Sequence, residues 1–215
     1  MRKVGSDDLY KKRKGIGGYI TREKEKKVIQ NRILIVCEGE KTEPLYFRSY
    51  PIRKGEIQVE IEGIGRNTLS LVNKAVELKS EAIKNKKPYN QVWCIFDKDD
   101  FPAYNFDNAI HKAMANNLRL GFSNEAFELW FLLHFEYYNN PISRKDYQAI
   151  LSKLLGKRYE KNDPEIYKRI YKNQEKALEN ANKLYETKIL EGLPFSKCNP
   201  ITSVHFLVEE LNRWI

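Results

Sequence analysis

The sequence predicts an α/β fold, a mainly parallel sheet flanked by helices with a helical C-terminal part. Three observations carry this expectation. Short β-branched runs recur at Ile33-Leu34-Ile35-Val36-Cys37, at Ile57 to Ile61 and at Val92 to Phe96. Segments with apolar residues at helical spacing lie between them, and that alternation is the signature of βαβ units. From Glu125 onward the pattern becomes helical.

The elements follow in order. Residues 1–31 read as a basic arm, rich in Lys and Arg and poor in apolar side chains, and are expected to be largely disordered in isolation. An arm of this kind can lie along phosphates. Residues 32–215 read as one α/β domain with a helical extension over about 140–215. The first strand, Ile33 to Cys37, ends in a turn-like Glu38-Gly39-Glu40, and Thr42 is placed to cap a short helix. Ile57, Val59 and Ile61 alternate onto one face of a second strand. Asn67 or Thr68 caps a long helix with Leu71, Val72, Ala75, Val76 and Leu78 on its apolar stripe. A third strand ends in Asp97-Lys98-Asp99-Asp100. A helix over Phe106 to Asn117 and a fourth strand over Leu118 to Phe122 follow. Ser123 or Asn124 is positioned to cap the next helix. Asp163-Pro164-Glu165 starts a helix expected to reach about Leu190, before Gly192, and Thr202 or Ser203 caps the last one.

Charge narrows the partners. With 38 Lys and Arg against 29 Asp and Glu, the net charge is +9, which favours an anionic partner, nucleic acid before membrane. The longest apolar run, Ala126 to Phe135, is too short for a bilayer and contains Glu128 and His134. No apolar leader follows Met1, and the three cysteines are far apart with no CxxC, so buried free thiols in a reducing cytoplasm are expected.

The chemistry-bearing residues are acidic. Parallel strands all end on one edge of a sheet, and ligands gather beyond it. Glu38 follows the first strand; Asp97 and Asp99 follow the third. If those strands are neighbours, about 4.8 Å apart, the three carboxylates converge and need a compensating cation. Mg²⁺ (or Mn²⁺) suits oxygen ligands and keeps waters and substrate phosphates in its shell. Phosphodiester chemistry follows from such a site. Acidic residues after strands are also ordinary turn formers and caps, so each motif alone is weak. Glu128 lies in a segment apolar almost all round, so it must be paired, hydrogen-bonded or metal-linked. Lys41, Lys98 and Arg66 flank the acids as candidate phosphate contacts. The histidines His111, His134 and His205 show no metal spacing and read as structural, with His134 the one to test.

These residues resemble a known family. The run Ile33-Leu34-Ile35-Val36-Cys37-Glu38-Gly39-Glu40-Lys41-Thr42-Glu43-Pro44 with Tyr46-Phe47 is similar to the opening motif of RloB-like proteins. Phe96-Asp97-Lys98-Asp99, Ser123-Asn124-Glu125-Ala126-Phe127-Glu128-Leu129-Trp130, Leu133-His134-Phe135 and Asn199-Pro200-Ile201-Thr202-Ser203-Val204-His205 are similar to its later motifs. The family resembles the Toprim superfamily of topoisomerases, primases and related nucleases. The resemblance implies a Toprim-like core with Glu38 as its glutamate and Asp97 and Asp99 as its DxD pair. It implies that Ser123 and Glu128 help a second metal. It also implies an effector nuclease in phage defence, encoded beside an ATPase in restriction or abortive-infection loci. The expected function is a Mg²⁺-dependent nuclease cleaving RNA, tRNA among the candidates, or DNA, under the control of that ATPase. The alternative is a catalytically degenerate Toprim module that binds nucleic acid or a partner protein. A haloacid-dehalogenase-type phosphatase also uses Asp-x-Asp after a strand, but Asp100-Phe101-Pro102 departs from its pattern and Glu38 has no role in it. Homo-oligomerisation is left open by the sequence.

Overall fold

A computed structural model describes residues 31–53, 55–65, 68–98 and 102–215. The basic arm, Arg66 and Asp99 lie outside these residues, apart from Asn31, which opens the first strand.

The strands are β1 (Asn31–Cys37), β2 (Ile57–Gly63), β3 (Gln91–Asp97), β4 (Arg119–Asn124) and the two-residue β5 (Ile201–Thr202). They form one five-stranded sheet in the order β2-β1-β3-β4-β5. The first four are parallel and β5 runs antiparallel to β4. The sheet is therefore mixed but mainly parallel, as expected for alternating strands and helices. Ile33 pairs with Gln91 and Cys37 with Ile95, so β1 and β3 are direct neighbours and end together. Glu38 and Asp97 are carried to the same edge by that register.

Both faces of β1 and β3 are apolar because both are covered. Ile33, Ile35, Cys37, Trp93 and Ile95 pack toward one side, Leu34, Val36, Val92, Cys94 and Phe96 toward the other. The second side is closed by α2 (Thr68–Lys84) and α3 (Ala103–Ala115). The first is closed by α1 (Thr42–Arg48), α4 (Glu128–Leu133), α5 (Arg144–Leu155), α6 (Ile166–Ile170), α7 (Gln174–Leu190) and α8 (Val204–Asn212). All three cysteines are buried and free, and burial pushes the Cys94 thiol up to about 12. Among the described residues no helix is long and apolar enough to cross a membrane.

Several local expectations change. Ser123 and Asn124 belong to β4 rather than capping a helix. α4 begins at Glu128 itself, which places that carboxylate in the first turn. Thr42 does not cap α1; its hydroxyl donates to the Lys161 carbonyl at 3.0 Å. The helix expected to run unbroken from Asp163 to Leu190 is split by a 3₁₀ turn at Tyr171–Asn173. Asp163 accepts the Glu165 N–H at 2.9 Å, but α6 begins at Ile166 with Glu165 at its N-cap, so Asp163 closes the turn before the helix and does not cap it. β5 has too few residues to announce itself as a strand.

His134 and His205 are fully buried. The His134 Nδ1 lies 2.9 Å from the Trp130 carbonyl, and its ring meets Trp130 edge-on at 4.8 Å. Burial depresses both imidazoles from 6.5 to about 4. A depressed histidine is neutral in the fold, so its contribution to stability is complete above the unfolded value and is lost as pH falls. Thermal stability is expected to drop between pH 6.5 and about 4, each histidine costing up to about 1.4 kcal/mol per pH unit. Melting curves across that window test it, and His134→Asn, which keeps a donor for Trp130, should flatten the slope. An unchanged slope in that variant rules the assignment out.

Candidate functional site

The edge of the sheet beyond β1 and β3 opens into a cleft of about 630 Å³. Glu38, Glu43, Asp97 and Glu128 line it together with Lys41, Arg144 and Lys161. The local sequence explains how each acid arrives there.

Glu38 is the first residue past β1. Its carboxylate accepts the Asp97 N–H at 3.1 Å and the Thr68 hydroxyl at 3.1 Å, one partner on each oxygen. It thus ties the ends of β1, β3 and the start of α2. Asp97 closes β3 and its side chain is 14% exposed. Its Oδ2 accepts the Phe127 N–H at 3.0 Å. That bond brings the start of α4, and with it Glu128, to the strand edge.

Glu43 stands in the first turn of α1 and is buried. It accepts the Gly39 N–H at 3.3 Å. A side chain at Gly39 would collide with that carboxylate, so the Glu38-Gly39-Glu40 turn needs glycine to let it fold back. Gly63 matters for the same reason: a Cβ there would lie 2.8 Å from the Gly39 carbonyl and 2.9 Å from Pro44. Glu128 is buried among aromatic rings, takes a hydrogen bond from Tyr159 at 3.3 Å and sits 3.7 Å from Lys161 Nζ.

The electrostatics record the crowding. Burial first, then the neighbouring Glu43, Glu128 and Glu38 carboxylates, hold the Asp97 carboxyl well above the usual range. Arg144 forms an ion pair with it at 3.7 Å, longer than a hydrogen bond. Burial raises the Glu43 carboxyl as well, with Glu128 adding to the effect and Lys161 opposing it. Two neighbouring acids, Asp97 and Glu43, that both resist ionisation are an arrangement a bound cation relieves.

A family model described as "RloB-like protein" matches residues 33–211. The chain belongs to the RloB-like family. No curated protein and no solved structure matches it. The match takes in the sheet from Ile33 onward and every cleft acid named above.

In this RloB-like chain the expected residues separate into three groups. Glu38, Asp97 and Glu128 meet at the cleft, and Lys41 lines its rim. Ser123 sits opposite Asp97 in the sheet register, but its hydroxyl pairs with Thr202 Oγ1 at 3.0 Å inside the sheet. Lys98 leaves β3 with its N–H donated to the Ser123 carbonyl at 2.9 Å, and it is not among the described cleft-lining residues. Asp99 and Arg66 lie outside the described residues. Sequence reasoning missed Glu43, Arg144 and Lys161. The signal for Glu43 was its place five residues past Glu38, before Pro44 in the first turn of a helix. No local signal marks Arg144 or Lys161.

The donor set fits a hard divalent cation in kind, since every candidate ligand is a carboxylate oxygen. As they stand, Glu38 and Asp97 spend oxygens on amide and hydroxyl donors. Among the described residues no group of three or more His, Cys, Asp or Glu side chains is arranged to hold a metal ion. Ligation requires these side chains to turn toward a common point.

Proposed function

We propose that this RloB-like protein is a Mg²⁺-dependent nuclease of Toprim type. The observation that carries this reading is the meeting of Glu38, Glu43, Asp97 and Glu128 at the C-terminal edge of a parallel sheet in a chain of net charge +9. Glu38 and Asp97 would hold the ion, with Asp99 and Glu128 completing its surroundings. A bound Mg²⁺ polarises a phosphoryl oxygen and helps to generate a hydroxide nucleophile. Glu43, buried and reluctant to ionise, is suited to hold the proton that the leaving oxygen needs. The aromatic residues behind Glu128 keep bulk water from that side of the cleft. By resemblance the activity serves phage defence, is checked by an ATPase partner and operates in the cytoplasm, where three free thiols are stable.

The test is cleavage of total cellular RNA and DNA with and without Mg²⁺, in the presence of the neighbouring ATPase. Glu38→Ala should reduce product to background while leaving the melting curve cooperative. Equal cleavage by that variant would remove the assignment.

A second reading, a degenerate module that binds nucleic acid or a protein without turnover, is favoured by one observation. Glu38 and Asp97 are already satisfied by protein donors. Calorimetric titration with Mg²⁺ or Mn²⁺ separates the two, because the module binds nucleic acid and gives no metal heat.

A further inference from the structure

The cleft also contains three cations, Lys41, Arg144 and Lys161, and the last two lie directly beside its acids. Arg144 opens α5, and its guanidinium lies 3.7 Å from Asp97 Oδ2. Lys161 stands in the loop between α5 and α6, its ammonium 3.7 Å from Glu128 Oε1. The two side chains are 35% and 41% exposed, and both line the cleft.

Each is an ion pair to a mostly buried carboxylate, Asp97 at 14% and Glu128 at 4% exposed, but at 3.7 Å neither is a charge-assisted hydrogen bond, and each cation keeps about a third or more of its side chain open to solvent. Yet the backbone beneath each is fixed with care. Ser143 and Asp146 form a reciprocal cap, the Asp146 carboxylate accepting the Ser143 hydroxyl at 2.6 Å and its N–H at 3.3 Å, which sets where α5 begins and hence where Arg144 points. The Lys161 carbonyl is held by Thr42, and the same loop is braced by Asp163, which pairs with Lys157 at 2.6 Å and Arg169 at 3.2 Å.

A cleft walled by five carboxylates, Glu40 included, repels a phosphodiester unless cations face the same space. Arg144 and Lys161 supply two beside Lys41, each next to an acid from a different element. A guanidinium fork matches two non-bridging phosphate oxygens, and an ammonium adds a point charge. We infer that Arg144 and Lys161 form the phosphate-binding pair of this cleft, taking the backbone of a nucleic acid across the carboxylates. This rests on the nuclease reading for its consequence but concerns binding alone. The helical C-terminal part thereby contributes half of the substrate site, the sheet edge contributing the acids.

The experiment is binding of a labelled single-stranded oligonucleotide, RNA and DNA in parallel, to the full chain in EDTA over a range of salt. Each phosphate contact removed should lower the slope of log affinity against log salt by about 0.7 and weaken binding roughly tenfold. Lys161→Gln lies on a loop and spares the core; Arg144→Lys keeps a charge and should retain most of the slope that Arg144→Gln loses. Slopes and affinities that match the parent in Lys161→Gln and Arg144→Gln overturn the pair. So does a lower melting temperature with an unchanged slope, which marks the cations as counter-ions for the acids. If the parent binds no Mg²⁺ while the slopes still fall, the nuclease reading is lost and the phosphate pair stands.

Discussion

Asp97→Asn is expected to make the metal-free protein more stable near pH 8 and at the same time abolish its divalent-ion binding. The Asp97 carboxyl is held well above the usual range by burial and by Glu43, Glu128 and Glu38. The folded state therefore binds this proton more tightly than the unfolded chain does. Stability from this group is full below its ordinary value of 3.8 and is lost as pH rises through the raised folded value. The loss accumulates as pH rises from 3.8 toward that folded value, so it is greater near pH 8 than near pH 5. An amide keeps the acceptor that Phe127 N–H uses and removes the charge. A gain on the order of 1–2 kcal/mol is expected, with the melting temperature rising about 2–4 °C for each kcal/mol. Scanning calorimetry in EDTA near pH 8 and pH 5 checks it, since the gain should shrink at the lower pH. Added Mg²⁺ should stabilise the parent and leave the variant unmoved. A variant less stable than the parent in EDTA near pH 8 would contradict the electrostatic account.

Phe131→Ala is expected to be the most destabilising of these substitutions. Phe131 is fully buried on α4 and packs against Tyr46, Phe127 and Tyr159, with ring centroids at 5.5, 5.3 and 6.2 Å. Truncating a buried phenyl ring leaves a cavity and removes about 3–5 kcal/mol. The melting temperature should fall by roughly 6–20 °C for a chain of this size. The same ring supports the turn that presents Glu128, so divalent-ion affinity should fall with it even below the transition. Chemical denaturation followed by tryptophan fluorescence measures the first effect and calorimetry at low temperature the second. A loss under about 1 kcal/mol would show that the aromatic cluster collapses around the gap.

The sheet and two of its acids were legible because short-range patterns encode them. Ile33 to Cys37 and Val92 to Phe96 are continuous apolar runs, which is what strands buried on both faces require. Their neighbouring position was an inference about topology, and the β1–β3 register bears it out. Glu128 announced itself by being charged in an apolar setting. Three things were less legible. β5 is a strand only because β4 is beside it. Ser123 shares a sequence motif with Glu128, yet strand alternation and Thr202 draw its hydroxyl into the sheet. Arg144 and Lys161 are ordinary surface residues by every local measure, and only the packing of α5 and its following loop onto the cleft gives them neighbours. Long-range contacts of this kind leave no mark on periodicity or capping signals.

The hydrogen bond from Thr42 to Lys161 joins positions 119 residues apart, and the one from Asp97 to Glu38 spans 59. The first therefore closes late in synthesis or refolding, since a long stretch must be ordered before the contact rewards it, while the second can close once β3 has formed. A nascent chain that has emerged only as far as β4 carries Glu38, Glu43 and Asp97 but not Glu128, Arg144 or Lys161. The cleft is therefore assembled in full only when the last third of the polypeptide has docked onto the sheet edge.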